Sequence, residues 1–165
     1  MKRYLIALAV LCTISISVSY AQELTKGGNL LNVGVGVEPG FGFNVSYDYG
    51  LVDTWGPGIF TIGGFAGLQS RKLTKSGFVD YRTNHIALAV RCSYRYQISD
   101  SFEVFGVAMT GFGSHSYSKH FDNENKAFWA VPIVGCRYTF ASNISVFGEV
   151  GWSLSWLNGG LSFSF

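Results

Sequence analysis

The sequence predicts an all-β fold, an eight-stranded antiparallel up-and-down transmembrane β-barrel. Three observations point there. Apolar and polar residues alternate with period two along most of the chain, and helical periodicity is absent. Charged residues make up only 13% of the chain, against 16% aromatics and 21 glycines. That is too little charge to cover a water-facing surface in the usual proportion of about a quarter. Beyond the first residues, no apolar run approaches the roughly 18 residues of a membrane helix, so any crossing must be made by strands.

The start, "MKRYLIALAVLCTISISVSYAQE", has the form of a secretory signal peptide. Lys2 and Arg3 form a basic region, Tyr4 to Val18 an apolar one, and Ser19-Tyr20-Ala21 a small-residue cleavage site before Gln22. Leu11 stands before Cys12 where a lipoprotein signal would have a small residue. The reading divides the chain into a signal peptide (1–21), a short periplasmic segment (22–28) and the barrel (29–165). Losing Lys2 and Arg3 leaves ten basic and ten acidic residues. That balance speaks against nucleic acid as a partner.

Eight segments follow. The first is "NLLNVGVGV", turned by Pro39-Gly40, and the second "FGFNVSYDYGL", turned by "VDTWGPG". The third runs roughly from Ile59 to Lys72, and a polar loop, "LTKSGFVD", follows it. In the fourth, "HIALAVRCSYRYQI", Ile86, Leu88, Val90, Cys92, Tyr94 and Tyr96 share one face. "SDS" leads to the fifth, "FEVFGVAMTGFGS", and then to the longest loop, "HSYSKHFDNENKA". The sixth spans about Phe128 to Phe140. "ASN" turns the chain into the seventh, "ISVFGEVGWSLSW", and "LNGG" into the eighth, "LSFSF". Short turns at one end and longer polar loops at the other fit a barrel with its turns in the periplasm.

The apolar face is predicted to meet lipid. The opposite face is Gly, Ala, Ser, Asn and Thr with a few charges, which suits the narrow inside of an eight-stranded barrel. Aromatics stand near strand ends: Tyr94, Tyr96, Tyr138 and Phe140 at one end, Phe128, Trp152 and Trp156 at the other. They read as the two girdles of a membrane barrel. A bilayer forces the sheet to close, because an open edge would leave peptide groups unpaired.

By parity the inward charges are Asp48, Glu103 and Glu149 with Arg71, Arg91, Arg95 and Arg137, predicted to form one network. The fifth segment resists assignment. If Glu103 faces inward, so do Phe105, Val107 and Met109, unless a bulge near Gly106 intervenes. Cys92 and Cys136 both face lipid with one strand between them, roughly twice 4.8 Å apart. A disulfide needs Cα atoms within about 7 Å, so two free thiols are expected.

Candidate chemistry is confined to the long loop. Ser118, His120 and Asp122 would share a face if extended, and they carry the groups of an acyl-transfer triad. Side chains two residues apart on a loop are poorly fixed, however, and a solvated surface loop is the plainer reading. His115, His120 and Asp122 lack any defined metal spacing. "GVGVEPGFG" has no helix after it to cradle phosphate. No cofactor and no metal are expected. Asn44-Val45-Ser46 and Asn143-Ile144-Ser145 match a glycosylation pattern but lie in or beside membrane strands.

With these features in place, the stretch from about Asn29 to Phe165 resembles the small outer-membrane barrels of the OmpA/OmpX type, often grouped as porin-like β-barrel proteins. The resemblance implies residence in the bacterial outer membrane among its lipids. It also implies that Leu161, Phe163 and the closing Phe165 are read by the barrel-assembly machinery. Some such barrels are lipid A deacylases with a His-x-Ser pair and a rim Glu, but here the order is reversed and His115 directly precedes Ser116. The leading expectation is a non-enzymatic protein with an envelope-structural or surface-interaction role, its surface partner unnamed and its bore too narrow for an open pore. The alternatives are a lipid A-modifying esterase, small-channel transport and a soluble ligand-binding barrel.

Overall fold

The computed structural model describes residues 24–37, 40–53, 58–75, 79–117, 120–151 and 154–165; side chains are described for all of these except those within 72–82 and 115–130. Among the described residues there are eight strands. They are β1 (Asn29–Val37), β2 (Phe41–Asp53), β3 (Gly58–Lys75), β4 (Val79–Ser99), β5 (Phe102–Tyr117), β6 (His120–Ala141), β7 (Ile144–Gly151) and β8 (Leu157–Ser164). Each pairs antiparallel with the next, and β8 pairs with β1, so the sheet is a closed barrel. Closure leaves no edge: Leu30 stands opposite Ser164 and Val37 opposite Leu157 along the seam. The end where β1 begins and β8 finishes is called the near end below, and the opposite end the far end.

Period-two sequence becomes two-sided burial. Along β1 and β2 buried and exposed positions alternate almost without a break. The exposed set is apolar, including Leu68, Leu88, Val90, Val134 and Phe43. The buried set is largely polar, including Asn32, Ser46, Thr61, Ser93 and Ser162. The barrel is therefore inside out relative to a soluble one.

Several boundaries differ from the sequence reading. β3 and β4 stay paired up to Lys75 opposite Val79, and β5 and β6 up to Tyr117 opposite His120. Residues read as loops, including most of 73–80 and 115–127, thus belong to long hairpins. Polar composition marks where a strand leaves the apolar band. It does not end the pairing, because the ladder still satisfies backbone groups. β7 stops at Gly151, and Leu157–Gly160, read as a turn, opens β8 opposite both β1 and β7. The connection turns inward: Leu154 packs on the interior apolar cluster, and Ser155 is buried and accepts from Gln69 Nε2 at 3.0 Å. Gly36 leaves the space that Ser155 fills.

β5 keeps a single facing through Gly106. Glu103, Phe105, Val107 and Met109 all point inward, and the register breaks later, between Met109 and Gly111. At the near end, residues 24–28 fold against the barrel mouth. Leu24 is buried with Leu30 and Ile59, Gly27 donates to the Gly50 carbonyl at 2.9 Å, and Gly50 donates to that of Gly28 at 2.9 Å. Gly27 adopts φ 85°, a left-handed conformation that favours glycine.

Candidate functional site

The interior holds the concentrated chemistry. β4 presents Arg91 and Arg95 on its inward face, two steps of alternation apart. Arg91 donates from Nη2 to Glu149 Oε1 of β7 at 2.9 Å and from Nη1 to Ser46 Oγ of β2 at 2.9 Å. Its Nε lies 3.1 Å from Asp48 Oδ1, close enough for ionic attraction but not aimed as a hydrogen bond. Arg95 donates from Nη2 to Asp48 Oδ2 at 2.8 Å and from Nη1 to Glu103 Oε1 at 2.7 Å. Arg137 of β6 donates from Nη2 to Glu103 Oε2 at 2.6 Å.

The result is one alternating chain of charge, Glu149–Arg91–Asp48–Arg95–Glu103–Arg137. All six residues are buried, and their formal charges cancel. Asn32 of β1 adds bonds to Ser46 at 2.9 Å and Asp48 at 3.3 Å, and Ser162 of β8 donates to Asn32 Oδ1. Thr61 and Ser93 join β3 to β4 beside it. Asn32, Ser46 and Ser162 were absent from the sequence-derived set, although their parity would have placed them inward. Removing a charge from water costs several kcal/mol, which only such dense pairing offsets.

Arg71 does not join this chain. It shares the inward parity of β3 but stands half-buried opposite Thr83, towards the far end. An apolar cluster intervenes: Phe65, Ala87, Phe105, Val107, Met109 and Ile133, with Leu154 against it. Phe105 couples the two layers, its ring centroid 4.5 Å from the Arg95 guanidinium carbon. Gly135 makes room for that ring, since a Cβ there would come within 2.5 Å of it.

The outer face carries the remaining residues singled out above. Tyr94, Tyr96, Tyr138 and Phe140 are exposed towards the near end, and Trp156 is exposed in the far-end connection. Phe60 packs on Tyr94 with centroids 4.9 Å apart, an aromatic contact that parity alone did not reveal. Trp152 lies outside the described residues, and so does the side chain of Phe128. Cys92 and Cys136 are exposed free thiols. Leu161 and Phe165 are exposed and Phe163 half-buried on β8 and just past it. Asn29 and Phe165 exchange backbone hydrogen bonds at 2.9 and 3.1 Å, fastening the seam.

Ser118 lies outside the described residues, as do the side chains of His120 and Asp122. The backbone places His120 opposite Tyr117 at the tip of the β5–β6 hairpin. Among the described residues no group of three or more His, Cys, Asp or Glu is arranged to hold a metal ion.

No protein family and no curated protein matches the chain. Solved structures do. The chain has the fold of Ail, the attachment invasion locus protein of Yersinia pestis. That crystal structure superposes with a TM-score of 0.54 at 14% identity, covering 86% of this chain and 100% of Ail. The structure of Ail with the heparin analogue sucrose octasulfate gives 0.51 at 15% identity, with the same coverage. The fold is that of a small outer-membrane β-barrel.

Proposed function

We propose that this protein is an integral protein of the bacterial outer membrane, not an enzyme and not an open pore, that presents its far-end hairpins to partners at the surface. One observation carries the reading. The barrel wears its apolar residues outside, with Leu88 61% and Val90 54% exposed, while Arg91 and Glu149 inside are 1% and 3% exposed. Such a surface is unstable in water and stable in hydrocarbon. The near end is the periplasmic one in this reading, and the signal peptide delivers the chain across the inner membrane.

The packed interior supports the absence of a pore. Leu24, Leu30 and Ile59 fill the near mouth, the ionic chain comes next, and the apolar cluster follows as far as Leu154. The likeness to Ail supports a surface-interaction role. Membrane lipids surround the belt, and the assembly machinery of the outer membrane inserts the barrel.

The test is electrophoretic mobility of the lipid-reconstituted protein with and without boiling. A folded barrel migrates apart from its boiled form; identical migration in both states would remove the membrane reading. Planar-bilayer recording should show no stable single-channel steps, and steps of uniform size would restore the channel alternative.

A further inference from the structure

We infer that the far end of the bore holds a site for a carboxylate ligand, built by Arg71 and Thr83 on the inner face of the β3–β4 hairpin. The inference rests on the reading of the far end as the outward one and gives that end a ligand class.

Charge accounting inside the barrel singles out Arg71. Arg91, Arg95 and Arg137 each have a carboxylate oxygen at 2.9 Å or less, and between them they hold Asp48, Glu103 and Glu149. Those six charges cancel. Arg71 shares the inward facing but is left over, and the apolar cluster separates it from the acids of the chain. Among the described residues no carboxylate lies within ion-pair distance of it. A half-buried guanidinium is strongly favoured by an anion that it can grip with its fork. For the other three arginines that anion is a side-chain carboxylate; for Arg71 it has to come from outside.

Thr83 supplies a second donor. It stands directly opposite Arg71 in the β3–β4 ladder, so the two Cβ atoms are about 5 Å apart. Thr83 is 1% exposed, and its Oγ1 makes no hydrogen bond, not even with Arg71. Buried hydroxyls are nearly always satisfied by some partner. Gln69, the next inward residue on β3, is already engaged: its Nε2 donates to Ser155 Oγ at 3.0 Å and to the Gly40 carbonyl at 3.4 Å. It forms a fixed polar floor beneath the pair. Access comes from the uneven height of the wall. The last β2–β3 pair is Phe41 with Ser70, whereas β3 and β4 stay paired up to Lys75 opposite Val79. Arg71 thus stands one residue past the end of β2, half-buried at the far-end margin. A carboxylate matches the two groups. It brings one negative charge for one guanidinium, and two oxygens, one to accept from Arg71 and one from the Thr83 hydroxyl. A phosphate dianion brings more charge and more oxygens than this pair can meet. The Thr83 hydroxyl is screened from bulk water, so the ligand reaches it as the long Arg71 side chain swings to meet the carboxylate.

The experiment uses the full chain refolded in a maltoside detergent, with nuclear magnetic resonance of the labelled arginine Nε–H groups and threonine methyls. The probes are glucuronate, propionate, the uncharged methyl ester of glucuronic acid, and inorganic sulfate. Glucuronate or propionate should move the Arg71 Nε–H and Thr83 methyl resonances to saturation in the millimolar range, and the ester should move neither. The tighter of the two acids names the source, a sugar acid of the cell surface or a free small acid. R71Q should abolish the response at Thr83. T83V, equal in shape, should weaken binding about tenfold as read at Arg71. K26Q, which removes a near-end cation, should bind like the parent chain. In the parent alone, the absence of a saturable response to either acid, or an equal response to the ester, overturns the proposal. So does undiminished binding by R71Q, or sulfate binding as tightly as the acids, which would mark a site for any anion. The mobility shift on boiling keeps the two readings apart. A parent chain that shifts but ignores both acids defeats this inference alone, whereas one that does not shift defeats the membrane reading.

Discussion

Glu103 joins the two arginines at the near-end side of the ionic chain, one oxygen accepting from Arg95 and the other from Arg137. Replacing it by Gln keeps the shape and leaves both guanidiniums buried without their shared anion. Glu103→Gln should destabilise the barrel by about 3–5 kcal/mol, read from the urea midpoint of the lipid-reconstituted protein. Arg71→Met, outside the chain of charge, should stay within about 0.5 kcal/mol. Similar shifts for the two variants would mean that the buried pairs do not act as a connected chain. Gly135 offers a packing test. Gly135→Ala drives a methyl into the Phe105 ring and should cost about 1–3 kcal/mol. Adding Phe105→Leu should recover part of that loss, and additive losses would count against the contact.

At the scale of a strand, the two faces obey opposite rules. Val90 sits near the middle of the apolar run of β4, from Ile86 to Tyr96. Val90→Lys should cost about 2–4 kcal/mol in a bilayer, the penalty for a cation at mid-depth. Gly106, on the outer face of β5, has nothing within 4 Å of where a Cβ would stand. Gly106→Val should therefore be neutral or stabilising by up to about 1 kcal/mol, since valine suits a strand and meets no neighbour. A large loss at Gly106 would place that position inside. Of the element boundaries, those within the apolar band were readable from alternation, as in the eleven residues from Ile86 to Tyr96. The hairpin tips were not, because their polar residues look like loop whether or not the backbone is paired. The end of β7 was also hidden, since "GWSLSW" continues the alternation while the chain turns into the barrel mouth at Ser155.

For the whole molecule, orientation can be tested with the native thiols. Cys92 and Cys136 are exposed on the face assigned to lipid. A membrane-impermeant charged maleimide should label neither in the reconstituted, folded protein and both after unfolding. Rapid labelling of the folded protein in lipid would place those positions in water.

Alternation along the chain determined the strand number, the antiparallel order and the inverted facing, because in a β-strand side-chain direction is a local property of period two. It also nominated the charged residues that could lie inside. Which of those charges meet was decided only by the closed sheet. The stagger between tilted strands carries Asp48, Arg91, Arg95, Glu103, Arg137 and Glu149 within bonding distance and sets Arg71 beyond the apolar cluster. Parity fixes a side chain's face, but height along the barrel axis depends on the register of every strand around the ring, and no single segment contains that information.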